Sequence, residues 1–248
     1  MRLQLSTWPE VERYLASSRG IILPIGSTEQ HGPTGLIGTD ALCAEAIAER
    51  VGEAAGAMVG PTIGVGMAQH HMAFPGTVTL RPSTLVLVVR DMVLSLAEHG
   101  FDRFLFINGH GGNVATVRTA FSEIHAETRA ARGQGAPDLR LKLMNWWDAP
   151  AVGRLARELY GGSDGAHATA SEIAVTQALF PDHIKTAPLE PKVAPLGAYH
   201  DARDFRRRHP DGRMGSDPSL ARPEHGQRLM EAAVPDLAAA YQALMKEP

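Results

Sequence analysis

Acidic and histidine side chains lie close together at several points of this sequence, and in combination they could bind a divalent metal ion. In the first group, Glu29 and His31 are two residues apart and Asp40 follows nine residues later. In an extended loop that spacing puts Glu29 and His31 on the same side of the chain. An imidazole with carboxylates is a ligand set that zinc, manganese and iron accept. The alternative is structural, with Asp40 capping a helix and Glu29 in a salt bridge.

Two further groups add ligands and a proton carrier. His110 stands between glycines directly after an apolar stretch, where a side chain at a strand end would meet a cleft. His167 precedes a predicted helix and Glu172 lies inside it, so Glu172 can be a further ligand and His167 a general acid or base. The alternatives are a hydrogen-bonded turn histidine at 110 and a helix start where the helix dipole favours Glu172.

His70 and His71 form a fourth group, on a loop. Neighbouring residues of an extended chain point to opposite sides, so at most one of the two is expected to face the site. The interpretation is a substrate contact or a partner of the ligands. Cys43 is the single cysteine and lies in an apolar helical stretch, which indicates a packing residue rather than a nucleophile.

Strand patterns alternate with helix patterns, and this predicts a mainly parallel sheet covered by helices on both faces. The strands are predicted at residues 21 to 25, 77 to 80, 104 to 107 and 139 to 144. Ligands of such sheets gather at the carboxyl ends of the strands, and the groups containing Glu29 and His110 each follow one. We therefore predict an α/β fold with the site at that edge of the sheet, while the length of 248 residues leaves open one large domain or two small ones.

Helices are predicted where apolar residues recur with the helical period between start and stop signals. They cover residues 41 to 51, 82 to 100, 114 to 131, 151 to 160, 171 to 179 and 223 to 245. Residues 133 to 137 are predicted as a surface turn. Residues 181 to 222 are rich in Pro, Gly, Asp and Arg and are interpreted as irregular surface structure. With Trp146 and Trp147 they either shape the pocket or pack at the surface.

Composition narrows the classes of partner. Lys and Arg number 24 against 27 Asp and Glu, a formal charge of −3, which does not indicate nucleic-acid binding. The basic run from Arg203 to Arg208 is interpreted as a solvated loop. No apolar run approaches the ~18 residues of a membrane span, and no signal sequence is recognisable. We therefore expect a cytoplasmic protein.

Together the motifs resemble the creatininase (creatinine amidohydrolase) family. The matching stretches keep the family's order: residues 23 to 33, 38 to 40, 70 to 77, 108 to 113, and His167 with Glu172. The resemblance implies that residues 1 to 248 form a single three-layer α/β/α domain. It also implies two divalent metal ions per chain, commonly zinc, with manganese or iron as further occupants. By position, Glu29 and His31 would each serve one metal, Asp40 would bridge both, and His110 would complete one of them.

The resemblance also implies an activity, the hydrolysis of a C–N bond in an amide, cyclic amide or formamide by a metal-bound hydroxide. His167 would pass the proton to the leaving nitrogen, and Asp164 and His71 would contact a small amide substrate. Many members of the family assemble as hexamers, so a homo-oligomer is expected.

One departure from the family pattern concerns the metal ligands. Creatinine hydrolases carry Tyr and a metal-binding Glu directly after the histidine matched by His110, whereas this chain has Gly111 and Gly112. Glu172 would then supply the missing carboxylate.

Other departures concern the substrate. This chain has Ser163 where creatinine hydrolases have Trp, and Ala68 where a Ser contacts their substrate. We therefore predict an amide other than creatinine. Three alternatives stay open: a metal-stabilised binding or assembly protein without catalysis, a peptidase-like relative that trims a modified peptide, and a phosphate-ester hydrolase. The last is disfavoured because the motifs contain no Arg or Lys to hold a phosphate.

Overall fold

The chain is described here from a computed structural model that covers residues 1 to 130 and 138 to 248. The strands are β1 (Gly20–Ile25), β2 (Met58–Val59), β3 (Arg103–Asn108) and β4 (Arg140–Asn145). The helices are α1 (Trp8–Leu15), α2 (Thr39–Ala55), α3 (Pro82–Glu98), α4 (Asn113–Ala130), α5 (Pro150–Tyr160), α6 (Ala170–Leu179), α7 (Ala202–Arg208) and α8 (Pro223–Met245). The turn predicted at residues 133 to 137 lies outside the described residues.

The four strands form one parallel sheet in the order β2-β1-β3-β4. Every residue of β1 is buried, and alternate residues face opposite hydrophobic clusters. Ile22 packs with residues of α2, α5, α6 and α8, whereas Ile21 and Leu23 pack with residues of α3 and α4. Since side chains alternate across a strand, the sheet is covered by helices on both faces. The predicted α/β/α class is confirmed.

One predicted strand was wrong, and one strand was missed. Residues 77 to 80 do not join the sheet, because Val78 forms only an isolated antiparallel bridge to Thr28. Their β-branched residues cross a loop, where the Thr79 hydroxyl donates hydrogen bonds to backbone carbonyls. The strand that pairs with β1 on that side is β2, which has two residues and is too short to show a periodic pattern.

Most predicted helices are found within a few residues of their expected ends, and α8 matches at both ends. Helix α1 was not predicted, although Thr7 and Glu10 form the capping box that begins it. Cys43 is fully buried in α2, which confirms the packing interpretation. No helix in the described part of the chain is long and apolar enough to cross a membrane.

The interpretation of residues 181 to 222 as irregular surface structure was wrong in part. The basic run forms α7 rather than a loop, because Asp201 caps its first turn and Asp204 pairs with Arg207 and Arg208. Phe205 in this helix is fully buried. The segment therefore folds back onto the rest of the protein.

Candidate metal centre

The loops that follow β1 and β3 meet around the start of α2. A Cβ atom at Gly26 would lie 2.3 Å from the Ala41 nitrogen, and one at Gly109 would lie 2.1 Å from the Asp40 carbonyl oxygen. Any side chain at either glycine would push the loops away from α2. Both glycines therefore allow the close packing that places Asp40 between the two strand ends.

Two histidines point one ring nitrogen each at Asp40. His31 donates a hydrogen bond from Nδ1 to the Glu29 carbonyl oxygen at 3.1 Å, and His110 donates from Nε2 to the Met67 carbonyl oxygen at 3.0 Å. A carbonyl only accepts hydrogen bonds, so these contacts fix the tautomers. The other nitrogens, His31 Nε2 and His110 Nδ1, lie 3.0 and 3.1 Å from the two oxygens of Asp40. The Asp40 carboxylate thus extends between two imidazoles.

Glu29 and Asp40 carry buried oxygens without hydrogen bonds. Within the described residues, both carboxylate oxygens of Glu29 and Oδ2 of Asp40 have no hydrogen bond of acceptable geometry. Burying such oxygens is costly unless a donor or a cation compensates them. Three groups of residues hold donor atoms within 4.8 Å of one another: His31, Asp40 and Glu172; Glu29, His31 and His167; and Glu29, His70 and His110. The donors present therefore fit divalent metal ions.

Glu172 has one carboxylate oxygen at the start of α6 and the other near His31. Its Oε1 accepts a hydrogen bond from the Thr169 backbone nitrogen at 2.6 Å, which caps α6. Its Oε2 lies 3.8 Å from His31 Nε2. One oxygen therefore stabilises the helix start, while the other faces the centre.

The surroundings of these ligands favour positive charge. Burial opposes protonation of His31, but the carboxylates of Asp40, Glu172 and Glu29 outweigh it and raise its pKa to about 10. Burial would raise the pKa of Asp40, yet His31 and His110 lower it below its usual range. Burial raises the pKa of Glu172 to about 7, against the effect of His31. Paired carboxylates that hold charge on imidazoles can hold a cation in the same place.

His167 lies beside this group with one free nitrogen. Its Nε2 is 2.9 Å from the backbone oxygen of Gln30, to which it donates, and its Nδ1 faces Glu29 Oε1 at 3.8 Å. Burial and the nearby His31 hold the pKa of His167 well below its usual range. A neutral imidazole with an unprotonated nitrogen toward the centre can accept a proton there.

No role was predicted for Gln30 from the sequence, although it lies between the predicted ligands Glu29 and His31. Its side chain turns away from them, where Nε2 donates to the Gly212 carbonyl oxygen at 2.9 Å and to His71 Nδ1 at 3.0 Å. Its Oε1 accepts from the Gly32 nitrogen at 2.8 Å. The alternation of side chains along the loop was the available signal. Residues 29 and 31 point to one side of the chain, so residue 30 points to the opposite side.

Both histidines of the fourth group contact the site, and the expectation that only one would do so was wrong. Gln69–His71 forms a 3₁₀ turn instead of an extended stretch, so the two rings lie 4.1 Å apart. His71 is 1% exposed and its Nε2 lies 3.3 Å from Glu29 Oε1. His71 is therefore buried against Glu29, whereas His70 is only partly buried.

Asp164 lines a cavity next to His167, together with Trp146 and Trp147. Its carboxylate accepts hydrogen bonds from the nitrogen and hydroxyl of Ser171, at 2.8 and 3.0 Å. Each carboxylate oxygen has a second lone pair, so Asp164 is held in place and can still accept from a ligand. Both tryptophans line this cavity, and Trp146 is 1% exposed, so Trp146 packs in the interior rather than at the surface.

Residues 181 to 222, which were predicted as irregular surface structure, contain aromatic side chains that cover the other side of the centre. The ring of Phe205 meets His71 edge-on, with centroids 4.6 Å apart and planes at 80°. Tyr199 stacks on His70 at 5.3 Å. Tyr199 and Phe205 are the two aromatic residues between 181 and 222, and this was the signal that part of the segment packs on the site.

Replacing Gly112 by alanine is expected to lower metal affinity about 10- to 100-fold, the usual cost of losing a contact that orients a ligand. The new Cβ would lie 2.3 Å from His110 Nε2 and 2.5 Å from the Met67 carbonyl oxygen, so their hydrogen bond must break. Competition with a fluorescent zinc chelator measures the change. Gly111→Ala is the matched control, because a Cβ there meets nothing within 4 Å. Equal affinities for the two variants would contradict the proposed orientation of His110.

A parallel sheet flanked by helices, with buried histidines and carboxylates at the ends of its strands, defines an α/β protein with a candidate metal centre. The family described as creatininase, creatinine amidohydrolase, matches residues 4 to 241. The chain belongs to the creatininase family.

Relatives agree with that assignment. Creatinine amidohydrolase of Pseudomonas putida is 32% identical over 186 residues, covering 71% of this chain and 70% of its own. Mycofactocin precursor peptide peptidase of Mycolicibacterium smegmatis is 38% identical over 117 residues, covering 45% of this chain and 47% of its own. A crystal structure of creatinine amidohydrolase superimposes with a TM-score of 0.88 at 27% identity, over 100% of this chain and 98% of that one. Further creatininase structures are described as a manganese form and a Zn–Zn form.

Proposed function

We propose that this protein is a metal-dependent hydrolase that cleaves a C–N bond in an amide, cyclic amide or formamide. One observation carries the proposal: Asp40 presents one oxygen to each of two imidazoles whose other nitrogens donate to backbone carbonyls. Ligands oriented from behind in this way are typical of metal sites. Family membership agrees with the proposal.

Two divalent cations would be held by five side chains: Glu29, His31, Asp40, His110 and Glu172. Oδ1 of Asp40 lies toward His31 and Glu172, and Oδ2 lies toward His110 and Glu29. Zinc is the expected occupant, and manganese and iron accept the same mixture of oxygen and nitrogen ligands. When bound, such ions lower the pKa of water toward about 7 and polarise a carbonyl oxygen.

The chain's own residues would move the proton and hold the substrate. His167, neutral and with Nδ1 toward the centre, takes a proton from the attacking water and delivers it to the leaving nitrogen. The contact from Nε2 to the Gln30 carbonyl oxygen keeps the ring in the tautomer that this requires. Asp164 would orient a hydrogen-bond donor of the substrate. His71 is buried against Glu29 and would support that carboxylate. It also lines a cavity beside the centre, so its contact with the substrate stays a prediction.

A panel of substrates tests this function. Zinc- and manganese-loaded protein is assayed with a formamide, a cyclic amide, creatinine, a short peptide and a phosphate ester, before and after chelation. We expect chelator-sensitive hydrolysis of at least one C–N bond and little with creatinine. Hydrolysis of the phosphate ester alone would overturn the proposal, and turnover of the peptide alone would move the protein toward its peptidase relatives.

The proposal extends to the organisation of the protein as one domain that forms a homo-oligomer in the cytoplasm. Leu5 and Trp8 are each 77% exposed near one another in sequence, and large apolar side chains of this kind favour an interface. Light scattering on the purified protein measures the assembly. A hexamer is expected from the family resemblance, and a monomer would contradict it.

A further inference from the structure

Two cavities adjoin the metal centre from different sides. One, of about 210 Å³, is bounded by Asp164, Trp146 and Trp147. The other, of about 380 Å³, is bounded by His70, Tyr199 and Phe205. They share four lining residues: His110, Gly111, Ala166 and His167. A ligand atom beside His110 and His167 is therefore open to both cavities.

Gly111 lines both cavities and carries no side chain. A Cβ at this position would meet nothing within 4 Å, and the residue is exposed. Its neighbour Gly112 is different, since a Cβ there would strike His110. The glycine at 111 is therefore not required by packing, and a side chain at this position would occupy unfilled space beside both cavities.

The two cavities differ in chemistry. In the first, Asp164 is fixed by Ser171 and keeps lone pairs that can accept from an amine, amide or hydroxyl group. In the second, the rings of Tyr199 and His70 are nearly parallel at 17°, with Phe205 behind them. Flat apolar groups bind well against such surfaces.

We propose that the substrate is a secondary amide with substituents on both sides of the C–N bond, and that Gly111 is the residue that admits it. A hydrogen-bond-donating end lies at Asp164, a flat apolar or aromatic end lies against Tyr199, and the chain between them crosses Gly111. This inference rests on the proposed function and specifies its substrate class.

Hydroxamates provide the probes, because they bind metal ions and resemble an amide with groups on both sides of the C–N bond. The short probe is acetohydroxamate. The long probes carry a benzyl group on one side and an aminoethyl group on the other, in both arrangements. Calorimetry on zinc-loaded protein gives the affinities, and elemental analysis gives the metal content of every variant.

Wild type is expected to bind one long probe at least about tenfold more tightly than acetohydroxamate, since an aromatic group buried there adds contact area. Gly111→Phe should remove that gain while metal stays bound. Gly162→Phe is the matched control and should keep the gain, because a Cβ at Gly162 also meets nothing within 4 Å and the residue lines neither cavity. Tyr199→Ala should also lose the tighter binding of the long probe. This second variant keeps the test decisive if Gly111→Phe does not fold.

Equal affinity of wild type for short and long probes would overturn the inference, as would a long-probe gain that survives in both Gly111→Phe and Tyr199→Ala. A protein that binds neither metal nor acetohydroxamate would instead contradict the proposed function. The two failures are therefore distinct.

Discussion

Asp40→Ala is expected to lower the affinity for metal by more than about 100-fold and to abolish hydrolysis. Replacing a residue that only supports a ligand already lowers metal affinity by about 10- to 100-fold, and Asp40 is a proposed ligand. Among the described residues, Asp40 is the one carboxylate within ion-pair distance of both His31 and His110, at 3.0 and 3.1 Å. Its removal would take a carboxylate away from both of these candidate histidine ligands at once. Competition with a fluorescent chelator measures the affinity, and the amide assay measures the rate.

Asp236→Ala is the control for this variant. Asp236 also has a structural hydrogen bond, from the Ala151 nitrogen at 2.8 Å, but it lies on α8. That variant should retain metal and activity even if it loses some stability. If Asp40→Ala kept both metals with normal affinity, the bridging role would be wrong.

His167→Ala is expected to reduce kcat about 10²- to 10⁴-fold while metal content stays at the wild-type level, the range for loss of a general acid or base. The imidazole is held by Gln30 and turns Nδ1 toward the centre, 3.8 Å from Glu29 Oε1. Steady-state kinetics and elemental analysis on the same preparation separate catalysis from metal binding.

The metal measurement matters because Nδ1 of His167 lies close enough to Glu29 and His31 to be a ligand itself. Loss of one metal per chain in His167→Ala would assign it that role and remove it as the proton carrier. His99→Ala is the control, since His99 is exposed at the end of α3. It should change neither quantity.

The parts of the fold with strong local signals were predictable. Strands β1 and β3 are buried apolar runs ended by Gly26 and Gly109, and α8 has a helical period with proline at its first position. The position of the site followed, because loops after parallel strands meet at one edge of the sheet. Family resemblance then supplied a specific ligand set that the residue types alone left open.

Other features depend on long-range contacts that sequence patterns do not show. Strand β2 pairs through two residues, and α7 is fixed by Asp201 and Asp204 within a segment whose composition is typical of loops. The contacts of Gln30 join residues that are 41 and 182 positions away. Such contacts are known only once the chain is folded. For this reason the packing of Tyr199 on His70 and of Phe205 on His71 was not predicted.

The metal content of wild-type protein tests the proposed centre most directly. Protein purified without chelator is supplied with zinc and manganese, freed of excess ions, and analysed for each element per chain. The five proposed ligand side chains, Asp40 and the four around it, predict close to two divalent ions per chain. A chain that retains no metal under these conditions would contradict the hydrolytic mechanism and favour a binding or assembly protein built on the same fold.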